Sequence, residues 1–238
     1  MERLGCSDEL MSERYDRHIR LSEIGEQGQR KLSQASVLLV GVGGLGSPIA
    51  LYLAAAGVGR IGLVDGDEVS LSNLQRQVLY KESEVGKSKV MCAAARLGES
   101  NAHAVVDCYP FRLDEANAHE LISRYDVIID GCDNYETRYL IDKVCYELRK
   151  PYVYGSIGEF RGQVSVFHYG GAAGYVDLFP DKPETASVTS GVMGVVPGVV
   201  GTLQASEVIK IITGCGRVLS NRLLIVDLLG MDIRILDL

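Results

Sequence analysis

Ser36-Val-Leu-Leu-Val40 runs into Gly41-Val-Gly43-Gly44-Leu-Gly46 and then Ser47-Pro-Ile-Ala50, and this stretch decides the fold. An apolar, partly β-branched run of this length reads as a strand buried on both faces. The glycines match G-x-G-x-x-G between that strand and a helical stretch from Ser47 to Ala56. Arg60-Ile-Gly-Leu-Val64 reads as a second strand, so Ser36 to Val64 forms one βαβ unit of about 30 residues. A crossover of that kind makes the two strands parallel. Backbone N–H groups of Gly41, Gly43, Gly44 and Gly46, at a helix start, suit a phosphate. Asp65, at the end of the second strand, is placed to accept hydrogen bonds from a ribose.

Beyond this unit the same alternation continues. A helix over 87–97, a strand over 104–108, a helix over 114–125, the strand Val127-Ile-Ile129 and a helix over 136–148 give a Rossmann-like, doubly wound α/β sheet, mostly parallel. Strands at 152–154 and 163–167 come next with no helix between them, so antiparallel strands should extend the sheet toward the C-terminus. The stretch 170–189 is rich in Gly, Pro, Ser, Thr, Asp and Ala without a period, and reads as a mobile crossover loop. Pro197 suits the first turn of a helix running to Ile212. Leu223 to Asp227 and Asp232 to Leu236, around Gly230, read as a terminal hairpin. On the N-terminal side, residues 1–34 are polar with isolated apolar points, a helical arm lying on the larger body. One domain spans residues 1–238 on this reading.

Composition narrows the function classes. Of 238 residues, 24 are Lys or Arg and 31 are Asp or Glu, a net charge of −7 with no basic cluster, which disfavours extended nucleic-acid binding. The first residues carry no signal-peptide pattern, and the longest apolar run, from Val192 to Leu203, is too short and too rich in Gly and Pro to span a bilayer. These features fit a cytoplasmic protein without a membrane segment. Six cysteines are widely spaced with no C-x-x-C pair, so neither zinc nor a disulfide framework is indicated.

Glycines in this pattern and an acid at this spacing would alone fit a nicotinamide-dependent dehydrogenase. None of His18, His103, His119 and His168 sits where such an enzyme's acid-base would be needed. The segment after Asp65 points elsewhere, because Ser70-Leu-Ser-Asn73-Leu-Gln-Arg76-Gln77 sets a guanidinium just past the ribose position. Arg76 could grip a polyphosphate through two bonds, or be an ordinary surface charge. Lys89, at a helix start, could add a second charge on the same phosphates. Asp133, in Asp130-Gly-Cys-Asp133-Asn134 beyond the carboxyl end of a strand, is a candidate Mg²⁺ ligand or, alternatively, a helix N-cap.

Taken in order, Arg14-Tyr-Asp-Arg17-His18, Gly41 to Ser47, Ser70 to Gln77, Asp130 to Asn134 and Gly191-Val-Met-Gly194 resemble the ThiF/MoeB/HesA family of E1-like adenylyltransferases. The resemblance runs from about Glu13 onward, and the sequence is similar to short ThiF-like proteins without zinc motifs. It implies a homodimer that binds ATP and Mg²⁺ and adenylylates the C-terminal glycine of a ubiquitin-like sulfur-carrier protein ending in Gly-Gly. Gly44, Asp65, Asn73, Arg76, Lys89 and Asp133 are then the residues around ATP, with Asp133 at the metal. Arg17 is similar to the family arginine that reaches the triphosphate from the neighbouring subunit; without the resemblance it reads as a surface charge.

The sequence departs from the family pattern at two places. Gly174-Tyr-Val-Asp177 stands where many relatives carry the first of two zinc-binding C-x-x-C pairs, and the sequence stops at Leu238 before a second, so no zinc is expected. Ser187 stands where some relatives carry a cysteine that joins the activated carrier, and a serine lacks thiolate chemistry. An external sulfur donor is then implied for any later step. Among carriers, the resemblance favours a ThiS-like protein of thiamine biosynthesis. A MoaD-like carrier of molybdopterin synthesis, a tRNA-nucleoside carboxylate, and non-catalytic carrier binding stay open as alternatives.

Overall fold

The structure, a computed structural model, describes residues 13–181 and 191–238. Eight strands form one sheet: β1 (Ser36–Val40), β2 (Arg60–Val64), β3 (Val105–Tyr109), β4 (Val127–Asp130), β5 (Tyr152–Gly158), β6 (Arg161–Phe167), β7 (Arg222–Asp227) and β8 (Asp232–Asp237). Their order is β3-β2-β1-β4-β5-β6-β7-β8. The first five are parallel neighbours, and each later pair is antiparallel, as the missing helix between β5 and β6 predicts. Strand order reverses between β1 and β4, the position where open α/β sheets leave a crevice at the carboxyl ends of their strands.

Alternation along β1 divides the core. Val37 and Leu39 join the cluster beneath α3 (Gly46–Ala56), α4 (Lys89–Ser100) and α8 (Val196–Thr213), whereas Leu38 and Val40 join the one beneath α5 (Ala118–Ser123) and α6 (Tyr135–Leu148). All four are essentially inaccessible to water. Each such side chain contributes on the order of 1.5–3 kcal/mol of transfer free energy, which fixes β1 as the central strand.

The described residues of the N-terminal arm hold two helices, α1 (Asp16–Ile19) and α2 (Gly25–Gln34). Tyr15 is buried, and its hydroxyl accepts a bond from Asn101 Nδ2 at 2.8 Å; the same amide also donates to Ala54 O. Gln29 Nε2 donates to Ala56 O at 2.9 Å. The arm is therefore pinned to the C-terminal ends of α3 and α4. Gly57, at φ +84°, closes α3 under Tyr15, whose ring fills the space a Cβ would need.

Several boundaries differ from the sequence reading. The helix expected over 114–125 begins only at Ala118, because Asp114 Oδ1 accepts the backbone N–H groups of Ala116 and Asn117 and holds a turn there. The helix expected from Lys87 starts at Lys89 and extends to Ser100. β5 and β6 each run longer than expected, to a hairpin around Glu159 and Phe160. Of the stretch 170–189, a short helix α7 (Tyr175–Leu178) is described; Ser187 lies outside the described residues.

Candidate active site

Carboxyl ends of β1 to β5 border a cavity of about 750 Å³. Gly41, Gly43 and Gly44 line it from the end of β1, Asp65 and Asp67 from β2, Asp133 and Arg138 from β4 onward, and Ser156 to Gly158 from β5. Arg76 and Lys89 also line it. Three expected residues do not. Gly46 is buried in the first turn of α3, where a Cβ would strike Gly41 O, so its role is close packing of helix on strand. Asn73 ends a 3-10 turn and supports the cavity wall through its carbonyl, which accepts Arg76 N–H at 3.0 Å and Gln77 N–H at 2.9 Å. Arg17 is exposed on α1, beyond the far ends of α3 and α4.

The glycine loop is shaped by backbone contact. Gly41 has φ +89°, and a Cβ there would stand 2.5 Å from Gly131 O, so the loops after β1 and β4 can approach only with glycine at both positions. Ser47 Oγ turns back to Gly43 O at 2.7 Å. Gly43, Gly44 and Leu45, at the start of α3, line the cavity, and the orphan N–H groups of a helix start suit an anion.

Asp65 organises the loop after β2. Its Oδ2 accepts Val42 N–H and its Oδ1 accepts Asp67 N–H, both at 2.8 Å, leaving lone pairs on each oxygen for a ribose hydroxyl. Lys89 is almost fully buried, with Nζ 3.2 Å from Asp67 Oδ2 and 3.9 Å from Asp65 Oδ2. Arg112 Nη2 reaches the other oxygen of Asp67 at 3.1 Å. Burial would raise the Asp67 carboxyl, but the Lys89 and Arg112 charges outweigh it and hold the group below the ordinary aspartate range. Arg76 Nη1 donates to Ser72 O at 3.3 Å, and the rest of the guanidinium keeps donors for a ligand.

At the end of β4 the capping role falls to Asn134, whose Oδ1 accepts Thr137 N–H at 2.9 Å at the start of α6. Asp133 is exposed and lines the cavity. Glu136, also exposed, lines the cavity beside it, and one or two carboxylates suit Mg²⁺, a hard cation that completes its shell with phosphate oxygens and water. Among the described residues no three His, Cys, Asp or Glu side chains cluster as a metal cage. At Gly174 to Asp177, the first C-x-x-C position, Asp142 accepts the N–H groups of Tyr175 and Val176 at 2.6 and 3.2 Å and lies 2.7 Å from His168 Nε2.

A buried network under the cavity has no counterpart in the sequence reading. Asp130 is fully buried, with Arg138 Nε and the Tyr152 hydroxyl on Oδ2 at 3.0 and 3.1 Å. Cys132 N–H and thiol both donate to Oδ1. Burial, reinforced by the Asp130 charge, pushes the Cys132 thiol well up from the ordinary cysteine range. Arg138 Nη2 also donates to Cys132 O, tying the loop after β4 to α6. Asp130 ends a strand and Arg138 lies on a helix, so no periodic signal in the sequence pairs them.

Val192, in the segment Gly191 to Gly194, lines the cavity from the side. Glu159 N–H donates to Gly191 O and Met193 N–H donates to Glu159 O, so Val192 lies strand-like beside the β5–β6 hairpin. Gly194 rests against the Gln75 backbone, joining this segment to the one that carries Arg76.

Comparison with known proteins agrees with this geometry. The ThiF family matches residues 15–238. A Zea mays protein named adenylyltransferase and sulfurtransferase MOCS3-1 is 50% identical over 229 residues, covering 94% of this chain and 49% of that protein. A Porphyra purpurea protein named probable molybdopterin-synthase adenylyltransferase is 45% identical over 216 residues, covering 89% of this chain and 56% of that protein. The chain thus spans about half the length of the curated relatives it matches. A crystal structure of PaaA superposes with a TM-score of 0.79 at 26% identity, over 100% of this chain and 75% of that one. Escherichia coli MccB with ATP gives 0.77 at 23% identity, over 89% and 66%, a likeness of fold alone.

Proposed function

Because the chain belongs to the ThiF family, we propose that it uses ATP to adenylylate the C-terminal glycine of a ubiquitin-like sulfur-carrier protein. The observation that carries this reading is the cavity that joins the glycine loop, Asp65, Arg76, Lys89 and Asp133. A nucleotide laid with its ribose at Asp65 and its phosphates over Gly41 to Gly44 would meet both cations and the exposed carboxylate. No protein nucleophile is needed, since the carrier's terminal carboxylate is already ionised at neutral pH. That carboxylate attacks the α-phosphorus, a C–O–P bond forms, and the bond to the β-phosphate oxygen breaks to release pyrophosphate. Arg76 and Lys89 bind the phosphates and stabilise the charge that grows on the leaving group. Asp133 would hold Mg²⁺, which supplies further charge neutralisation when bound.

The names of the curated relatives bear on the carrier. They refer to MOCS3 and to molybdopterin synthase and give no support to the thiamine-pathway carrier favoured by sequence alone. A MoaD-like carrier is therefore the substrate we propose. A second copy of the chain completes the site in this reading. Arg17 sits on the arm pinned to the far ends of α3 and α4, and the twelve residues of α4 span about 18 Å. An arginine side chain cannot cover that distance to its own cavity, which favours delivery in trans.

ATP–pyrophosphate exchange with purified carriers ending in Gly-Gly tests the proposal, with Asp133→Ala as control. Exchange that depends on a MoaD-like carrier and is lost in the control supports it. Absence of exchange with every carrier, in a protein that binds ATP, would leave carrier binding without activation as the better reading.

A further inference from the structure

Strand order gives the cavity a direction. Phosphates over the loop after β1 and a ribose at Asp65 after β2 leave the nucleobase to the side of β3, the next strand outward. Arg112 and Leu113, in the loop beyond β3, line the cavity there. Leu113 is buried and offers an apolar wall. Arg112 places a cation at this end of the cavity.

Its placement is specific. A Cβ on Gly66 would stand 3.1 Å from Arg112 Cγ and 3.2 Å from its backbone N, so the stem of the arginine lies directly across the Gly66 backbone. Asp67 Oδ1 then holds Nη2 at 3.1 Å. The side chain is nevertheless 84% exposed, so a planar guanidinium is held in position and left uncovered. A solvent-exposed salt bridge contributes little by itself, which leaves the orientation of the group as its main consequence.

We propose that Arg112 is a nucleobase-binding residue that stacks its guanidinium on the base of the nucleoside triphosphate, with Asp67 as the positioning residue that sets its orientation. This rests on the ATP-dependent reading of the site. Asp67 serves two cations at once: Arg112 on one oxygen for the base, and Lys89 on the other for the phosphates. The two ends of the nucleotide are thereby referred to one carboxylate. Arginine is suited to the task because its delocalised plane stacks on an aromatic face as a lysine ammonium cannot.

Calorimetric binding of ATP and of inorganic tripolyphosphate to the wild-type protein, Arg112→Ala and Arg112→Lys tests the assignment. Arg112→Ala should weaken ATP about two- to fivefold and leave tripolyphosphate unchanged, with Arg112→Lys recovering only part of the loss. Asp67→Asn, which no longer fixes the guanidinium, should lower the ratio of ATP to tripolyphosphate affinity as Arg112→Ala does. Equal losses for ATP and tripolyphosphate in Arg112→Ala would make Arg112 a general cation and overturn the proposal, as would no loss at all. Failure of the wild-type protein to bind ATP would overturn the functional reading and this one together.

Discussion

Arg138 Nε donates to Asp130 Oδ2 at 3.0 Å, with the aspartate fully buried and the arginine side chain 8% exposed. This pair bridges the end of the central sheet and the helix that begins beside Asp133. Burial alone would lower the arginine, but the Asp130 charge outweighs it and holds the guanidinium firmly protonated.

Arg138→Ala would leave Asp130 buried beside only Tyr152 and the Cys132 groups. Breaking one partner of such a pair costs about 3–5 kcal/mol, because the remaining charge is stranded away from water. Urea denaturation should therefore show an unfolding free energy lower by that amount, and Arg138→Lys should recover only part of it, since a lysine cannot also bond Cys132 O in the same plane. A loss below about 1 kcal/mol would mean that the carboxylate finds other partners.

Asp67 gives the site a dependence on acid. Its folded-state pKa is depressed, so the stability it contributes is fully present above the unfolded aspartate value and is lost as pH falls through the lower folded one. The window lies below about pH 4. Melting temperatures measured from pH 6 downward should fall less steeply at the acid end for Asp67→Asn than for the wild-type protein. Parallel curves would show that Asp67 is not linked to folding.

Much of this is legible in the sequence, and the reasons are local. Val37 to Val40 can be read as a central strand because both faces are apolar, and Gly41 to Gly46 because the glycines at its two ends serve a backbone approach. Lys89, Arg76 and Asp133 are found through the segments that carry them. The part that cannot be read depends on tertiary pairing. Arg138 looks like any helical arginine until β4 and α6 are set side by side, and Arg112 lies in a loop whose position beside Asp67 is fixed only by the β2–β3 register. Asp114 looks like the start of a helix, and its carboxylate instead holds a turn.

Asp142 and His168 form the clamp at the root of the crossover segment. Asp142→Ala removes the acceptor for the Tyr175 and Val176 N–H groups; the Tyr175 donor is buried, and leaving it without a partner costs about 1–3 kcal/mol. Hydrogen exchange at those two amides should quicken in Asp142→Ala and, to a smaller degree, in His168→Ala. A strong chelator should leave the melting temperature of the wild-type protein unchanged. A drop with chelator would show that a metal, and not this clamp, secures the segment.

Arg17 offers a test of delivery between subunits that turns on arithmetic. On the proposed mechanism, Arg17→Ala and Asp133→Ala should each abolish carrier-dependent exchange, the first by removing the arginine proposed to be donated and the second the carboxylate proposed to hold Mg²⁺. After unfolding and refolding an equal mixture, half of the dimers combine the two variants. In such a dimer the cavity with intact Asp133 belongs to the Arg17→Ala subunit and receives Arg17 from its partner, so one site of two is whole. About a quarter of the wild-type activity should return, given closed two-fold dimers that exchange at random. If Arg17 served its own subunit, every site in the mixture would carry one defect and nothing would return.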